Sequence, residues 1–337
     1  MDVLIIGGTG LISTGITRLL LDRGDRVTLY NRGKRSQEFG DRVTTIAGDR
    51  YDHAAFEAQM AELPKYDAVI EMIAYAPEDV HSLLRAFGGK TGHLIFCSTV
   101  DVYARPASTY PVHESEVFRP AAWDYAQKKA ECERILWKWY GEEGHPFTVI
   151  RPVHTYGEQG AVLHTFGRST YHLDRLIKGK PIVIHGDGTS LWSAVHRDDA
   201  SVAFANAVCN PVSYGKSYHL PGDECVLWSQ YHERVAAAIG APAPQFVRIP
   251  TELLYSVDKR AYITAINFQY HNCLDATAAK TDLGYRYRIT IAEGAKQIYD
   301  WHVRNGSLEN SDNVPQDDRI IAAWQKLSAQ MISELEA

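Results

Sequence analysis

Cysteine is scarce in this 337-residue sequence: there are five, at 97, 132, 209, 225 and 273. The count is odd and no two form a CxxC pair, so free thiols in a reducing compartment fit best. No apolar run reaches the length that crosses a bilayer. The opening MDVLIIGG lacks the basic region, long apolar segment and cleavage site of a secretory leader, so a cytoplasmic chain without a membrane partner is expected. Positive charge is not in excess. The net charge of −6 disfavours a broad nucleic-acid surface, leaving only a local basic patch open. The fourteen histidines include no HExxH and no paired ligand spacing, so no metal site is expected. Internal repeats and low-complexity tracts are absent as well.

The residues present are those of an ordinary globular chain, 45% hydrophobic and 23% charged, long enough to bury a large core without disulfides. Short apolar runs at 3–7, 26–31, 42–49, 67–74, 93–99 and 147–152 read as strands, with helix-length amphipathic segments between them. That alternation predicts an α/β fold: a Rossmann-like, doubly wound parallel sheet with helices on both faces. After residue 152 the alternation weakens. Short strands are expected at 182–188 and 217–223, helices at 229–240 and 290–304, a polar linker at 312–318 and a last amphipathic helix at 319–336. The expected organisation is a dinucleotide-binding domain over 1–165, rejoined by 190–220. A smaller C-terminal substrate domain takes 166–190 and 220–311, and a linker and helix take 312–337.

GGTGLIS, residues 7–13, lies between the first strand and the first helix. Glycines there allow a tight turn and bring backbone N–H groups to a pyrophosphate at the helix N-terminus. Ser13 replaces the usual third glycine. The second strand ends in Asn31 rather than a carboxylate, followed by Arg32, Gly33, Lys34 and Arg35. Asn31 can bond a ribose hydroxyl, while the cations suit a 2′-phosphate, so the cofactor is NAD or NADP with a lean to NADP. Asp49, closing the third strand in AGDR, is placed to accept from the adenine amine. Tyr125 and Lys129 are four apart on a helix and share a face. An ammonium beside a phenol favours phenolate, which could take a proton from a sugar hydroxyl as hydride leaves the carbon.

Taken together, these stretches resemble the extended short-chain dehydrogenase/reductases, the family of NAD-dependent epimerases and dehydratases. GGTGLIS resembles its dinucleotide loop, FCSTVDVY (96–103) its strand-five signature and YAQKK its tyrosine-lysine motif. RPVHTYG (151–157), GDGTSLWSAVHRDDAS (186–201) and LDATAAKTDLGYRYR (274–288) resemble its later segments, in order, over about 1–304. The resemblance implies that Thr99 bonds the substrate oxygen, that Tyr125 is the general acid/base, and that Lys129 binds the nicotinamide ribose and tunes Tyr125. It implies cofactor contacts at Gly7, Gly10, Leu11, Ile12, Asn31, Arg32, Asp49, Arg50, Ala74, Lys129 and Pro152. It also implies a homodimer through the helix bearing Tyr125, where Trp137 and Trp139 suit a dimer contact or ordinary packing equally.

Two departures bear on the substrate. Trp192 stands where nucleotide-sugar enzymes of the family place an arginine for the diphosphate; its flat face would stack on a sugar instead. Arg168, Arg175 and Lys178 offer another route to phosphate. Asp101 stands where dehydratases carry a glutamate, with Val100 in place of their usual acid. Its carboxylate would abstract an α-proton, bind a sugar hydroxyl or cap a helix. Thr99, Asp101, Tyr125, His154 and Trp192 are the expected substrate contacts. The expected activity is that of an NAD(P)-dependent sugar epimerase or related oxidoreductase, with net sugar dehydrogenation as the alternative. A different class, a nucleotide- or RNA-binding protein without catalysis, is kept open because an RNA-linked branch of the family shares the GGT loop, the RG after strand two and the GDR after strand three.

Overall fold

The computed structural model describes residues 1–34, 38–119 and 123–336; Arg35, expected beside the cofactor, lies outside them. Two compact units are present: Met1–Thr155 with Val195–Gly222 and Leu274–Arg288, and Tyr156–Ala194 with Asp223–Cys273 and Ile289–Ala337. The expected boundaries shift in two directions. Residues 156–165, 190–194 and 312–337 fall in the second unit, and Leu274–Arg288 in the first. The second shift has a packing cause: Leu274, Ala279, Leu283 and Tyr285 enter the first unit's apolar core. The Tyr285 hydroxyl also donates to the Pro221 carbonyl at 2.6 Å.

In the first unit, β1 (Asp2–Ile6), β2 (Arg26–Asn31), β3 (Val43–Ala47), β4 (Ala68–Glu71), β5 (His93–Cys97), β6 (Phe147–Pro152) and β7 (Lys216–Leu220) form one sheet in the order β3-β2-β1-β4-β5-β6-β7. Every neighbouring pair is parallel. Helices α1 (Leu11–Asp22), α2 (His53–Ala61), α3 (Pro77–Phe87), α4 (Asp124–Glu143) and α5 (Arg197–Ala207) cover it. The strands read as unbroken apolar runs because both faces are buried. On β1, Val3 and Ile5 join one cluster with Ile16 and Leu20 of α1, while Leu4 and Ile6 join the other with Phe56, Leu83 and Leu136. Strand order reverses between β1 and β4, which opens a crevice at their C-terminal ends. Trp137 and Trp139 pack against the unit's own second cluster.

A buried polar network ties this edge of the sheet together. Glu133 of α4 is fully buried and takes Arg151 of β6 in two bonds, Nη2 to Oε2 at 2.6 Å and Nε to Oε1 at 2.9 Å. The Ser98 hydroxyl, at the exit of β5, donates to the same carboxylate. Arg151 also donates to the Tyr103 hydroxyl, which in turn bonds His219 Nε2 of β7 at 2.7 Å.

The second unit holds a parallel pair, Ile182–His185 with Phe246–Ile249, and an antiparallel pair, Leu191–Trp192 with Val226–Leu227. Its helices include Tyr171–Ile177, Trp228–Ala238 and Ile291–Arg304. The last helix is Gln316–Leu335, so the expected linker 312–318 is in part its first turn. Asp317 and Asp318 suit that place, since carboxylates are favoured at a helix N-terminus. No helix among the described residues is long and apolar enough to cross a membrane. Three buried histidines touch in series: His164 stacks on His172 with ring centroids 4.9 Å apart, and His172 Nε2 lies 3.1 Å from His232 Nδ1. Burial holds all three neutral, with His164 pushed down to about 3 and the other two well below their ordinary 6.5.

Two predictions arise here. Glu133→Ala leaves Arg151 buried without its counter-charge and is expected to cost about 3–5 kcal/mol of stability, read from urea unfolding. The unfolded chain binds protons on these histidines at a pH where the folded one does not, so their contribution is whole above about 6.5. It is lost as pH falls from there towards about 3. The urea midpoint should therefore drop between pH 7.5 and 5, and drop less in His172→Gln.

Candidate active site

The turn after β1 gives the first part of the site. Gly7 has φ +87°, and a Cβ there would lie 2.6 Å from Ile73 Cγ2, so only glycine lets the loop pass so close to the chain leaving β4. Gly10 caps α1. Ser13, the departure from the third glycine, is a working member of the loop. Its hydroxyl donates to the Gly7 carbonyl and accepts from Gly10 N, both at 2.8 Å. Close packing passes to Gly15, where a Cβ would lie 2.3 Å from Ser201 Oγ on α5.

A cleft of about 330 Å³ opens over this loop, lined by Gly7, Gly10, Asn31, Arg32, Lys34, Asp49, Arg50 and Tyr75 among others. Its glycine floor, helix N-terminus and polar rim fit a dinucleotide's pyrophosphate and ribose. Asn31 Oδ1 accepts from Gly33 N at 2.8 Å, and Asp49 Oδ1 from Tyr51 N at 3.1 Å, so both side chains are held in place by their own turns. Arg32 and Lys34 are exposed at the rim. Arg50 is more deeply set. It lines the cleft, with its guanidinium buried, paired with Glu71 at 2.9 Å and stacked over Phe56. Leu11 and Ile12 open α1 outside that lining, and Pro152 is buried at the end of β6.

The second part is built where β5 ends. Thr99 starts a single 3₁₀ turn, Val100–Val102: its Oγ1 accepts from Asp101 N at 3.2 Å and donates to Asp101 Oδ2 at 3.1 Å. Thr99, and not Asp101, is therefore the cap. Asp101 Oδ1 lies 3.7 Å from Nη2 of Arg105, a cation with almost no exposure. Tyr125, on the first turn of α4, lies near enough to Thr99 and Asp101 for both to act on its phenol. Its ring lies 5.0 Å from Trp123 and 6.2 Å from Tyr75. Thr99, Asp101 and Tyr125 are thus brought together by the strand exit and the helix start.

Lys129 is buried one turn further along, and its Nζ donates to the carbonyls of Ala74 at 2.7 Å and Cys97 at 2.6 Å. These bonds use two of its three N–H groups. The expected lowering of the Tyr125 pKa by Lys129 does not appear. Burial raises the phenol first, then the nearby Asp101 charge, against a smaller downward pull from Thr99.

Two further expected substrate contacts have these surroundings. His154 follows β6, half-buried. Trp192 lies in the second unit and is 3% exposed, packed on Trp228 at 4.9 Å and Phe268 at 5.0 Å, so its faces are covered by core and cannot stack on a sugar. Of the alternative phosphate ligands, Arg175 bonds Asp318 and the Pro181 carbonyl, and Lys178 bonds Asp174 and Asp312. Sequence reasoning missed Arg105, Tyr75 and Tyr51. Tyr75 directly follows the expected Ala74, a signal that was there to read; nothing local marks Arg105.

Comparison with known proteins places this geometry. The model of the "NAD dependent epimerase/dehydratase family" matches residues 3–84 and 76–220, more than half the chain. The chain is 26% identical over 335 residues to the chloroplast stem-loop binding protein of 41 kDa b of Arabidopsis thaliana, covering 95% of this chain and 84% of that protein. It is 26% identical over 252 residues to the 2'-dehydrokanamycin reductase of Streptomyces kanamyceticus, covering 75% and 70%. A UDP-glucose 4-epimerase from Bifidobacterium longum, solved with NAD+ and UDP, shares the fold with a TM-score of 0.71 at 19% identity, covering 92% of this chain and all of that one. On the strength of the family match, and of a fold and cleft in keeping with it, this chain belongs to the NAD-dependent epimerase/dehydratase family.

Proposed function

We propose that this protein is an NAD(P)-dependent sugar epimerase, in which Tyr125 exchanges a proton with a substrate hydroxyl while hydride moves to and from the carbon that bears it. The observation that carries this reading is the convergence of Thr99, Asp101 and Tyr125 at the C-terminal edge of the sheet. In this proposal Gly7, Gly10, Leu11 and Ile12 hold the pyrophosphate at the start of α1. Asn31 and Arg32 face the adenosine ribose, and Asp49 faces the adenine. Ala74 and Pro152 wall the nicotinamide end, and the third N–H of Lys129 reaches the nicotinamide ribose. When bound, the nicotinamide supplies the hydride acceptor and, oxidised, a positive charge that favours the phenolate form of Tyr125. Solved relatives, the UDP-glucose 4-epimerase from Bifidobacterium longum among them, hold NAD; the lean to NADP rests on Asn31 in place of a carboxylate and on the cations Arg32 and Lys34.

Asp101 is read here as a positioning group. Its carboxylate is held between the Thr99 hydroxyl and the Arg105 guanidinium, which aims the threonine oxygen at the substrate. That supports plain hydride shuttling over α-proton removal. The substrate is a sugar or sugar derivative, a nucleotide sugar in keeping with the epimerase relatives, and assembly as a homodimer belongs to the same proposal. A second reading, nucleic-acid binding, is favoured by the likeness to the stem-loop binding protein along 95% of this chain and opposed by the net charge of −6.

The test starts with the purified protein: extraction and mass spectrometry of any retained dinucleotide, then NMR of a panel of UDP-sugars incubated with it. Epimerised product without accumulating NAD(P)H is expected; stoichiometric NAD(P)H would replace epimerisation by net redox, and no conversion with salt-sensitive RNA retention would favour the second reading. Tyr125→Phe should lower turnover by about 10²–10⁴-fold while dinucleotide affinity is kept. In deuterated water the product should gain no deuterium at the carbon beside the reacting centre, and Asp101→Asn should retain measurable turnover. Deuterium uptake abolished by Asp101→Asn would instead make Asp101 the base.

A further inference from the structure

We propose that Trp123 is the stacking platform of the Tyr125 site: its indole carries the bare C–H face of a pyranose ring, with Tyr75 as a second wall, and so decides which sugars bind. The inference rests on the epimerase reading above and adds to it the residue that selects the sugar. Trp192, expected in that role, is 3% exposed and enclosed by Trp228 and Phe268. Trp123 is placed differently. It directly precedes α4, with φ −120° and ψ 114°, and its carbonyl accepts from Gln127 N at 3.0 Å, so the helix start fixes its backbone. Its ring lies 5.0 Å from that of Tyr125, with 44° between the planes, and it is only half-buried. Tyr75 stands 6.2 Å from the Tyr125 ring and is 42% exposed. Its backbone N donates to Asp79 Oδ2 at 2.8 Å, and Lys129 Nζ lies 5.1 Å from its ring centroid, which hold it at the edge of the dinucleotide cleft that it also lines.

Trp123, Tyr125 and Tyr75 all keep surface open, so they form an apolar patch beside the polar Thr99 and Asp101. Aromatic walls with a few placed polar groups are the make-up of a small-molecule site, and apolar surface left uncovered marks where a ligand goes. A pyranose matches that division. Its hydroxyls project from the rim, while its C–H bonds present a weakly positive face that the negative face of an indole attracts. A ring lying on Trp123 turns its rim to the segment that carries the hydroxyls and the carboxylate. Trp123 and Tyr125 are two residues apart at one helix start, so the way the sugar lies on the indole sets which hydroxyl meets the phenol. A neutral platform of this kind takes the sugar ring and gives nothing to a charged phosphate.

The test titrates the whole protein, saturated with NAD+, with the panel of UDP-sugars and with UDP alone, followed by tryptophan emission and calorimetry. In the wild type the sugars that bind should change the emission, and UDP should not. Trp123→Ala should lose that change and bind the same UDP-sugars about tenfold more weakly, with its affinities for UDP and NAD+ kept. Trp123→Phe, which retains a ring, should recover most of the sugar affinity. A stacking contact is made alike in ground and transition states, so the loss in turnover should fall mainly on KM. Unchanged UDP-sugar affinity in Trp123→Ala overturns this inference and leaves the epimerase reading standing. Equal loss of UDP, NAD+ and sugar affinity in that variant makes Trp123 a structural residue and overturns it as well. A wild type that binds no sugar of the panel overturns the inference together with the reading it rests on.

Discussion

Glu133 is the point on which the first unit's chemistry depends. A carboxylate without solvent must be neutralised and hydrogen-bonded, and Arg151, Ser98 and Trp137 all turn to it. Those partners belong to β6, to the exit of β5 and to α4 itself. Meeting the needs of one buried charge therefore fixes the helix against two strands. Because α4 also carries Tyr125 and Lys129, and the β5 exit carries Thr99, the charge sets the spacing of the site without entering it. Arg151 extends the constraint through the Tyr103 hydroxyl to His219 on β7.

The stretch FCSTVDVY shows how the two duties interleave. Cys97 gives its carbonyl to Lys129, and Ser98 gives its hydroxyl to Glu133. Thr99 and Asp101 face each other across a one-turn 3₁₀ helix, and Tyr103 returns to the buried network. Support and site are served by neighbouring residues of one short segment, from the end of β5 through the 3₁₀ turn. Asp101 is held by a threonine hydroxyl and an arginine from just beyond the turn, so its orientation is decided by this short segment.

Much of this was legible beforehand. Parallel strands announce themselves as apolar runs, and six in the first half were located to within a few residues. The glycine loop, the Tyr125–Lys129 spacing and the strand-five signature are local, so sequence reading reached them and the family with them. What local reading leaves out is set by distant neighbours. Arg50 lines the cleft, and Glu71 of β4 pairs with its guanidinium. Trp192 looked like a stacking platform until Trp228 and Phe268 covered it. Asp317 and Asp318 read as linker because polarity was weighed above their fitness for a helix start.

By itself the sequence determined the parallel α/β architecture, the glycine turn after β1 and the family. Strand periodicity, glycine at positive φ and i,i+4 spacing are all properties of nearby residues. Tertiary structure alone decided what each polar group does. It turned the Lys129 ammonium to two carbonyls and made Ser13 a tie within the loop. The reason is physical: burial obliges every polar group to find a partner, and that partner most often comes from a part of the chain that sequence distance does not reveal.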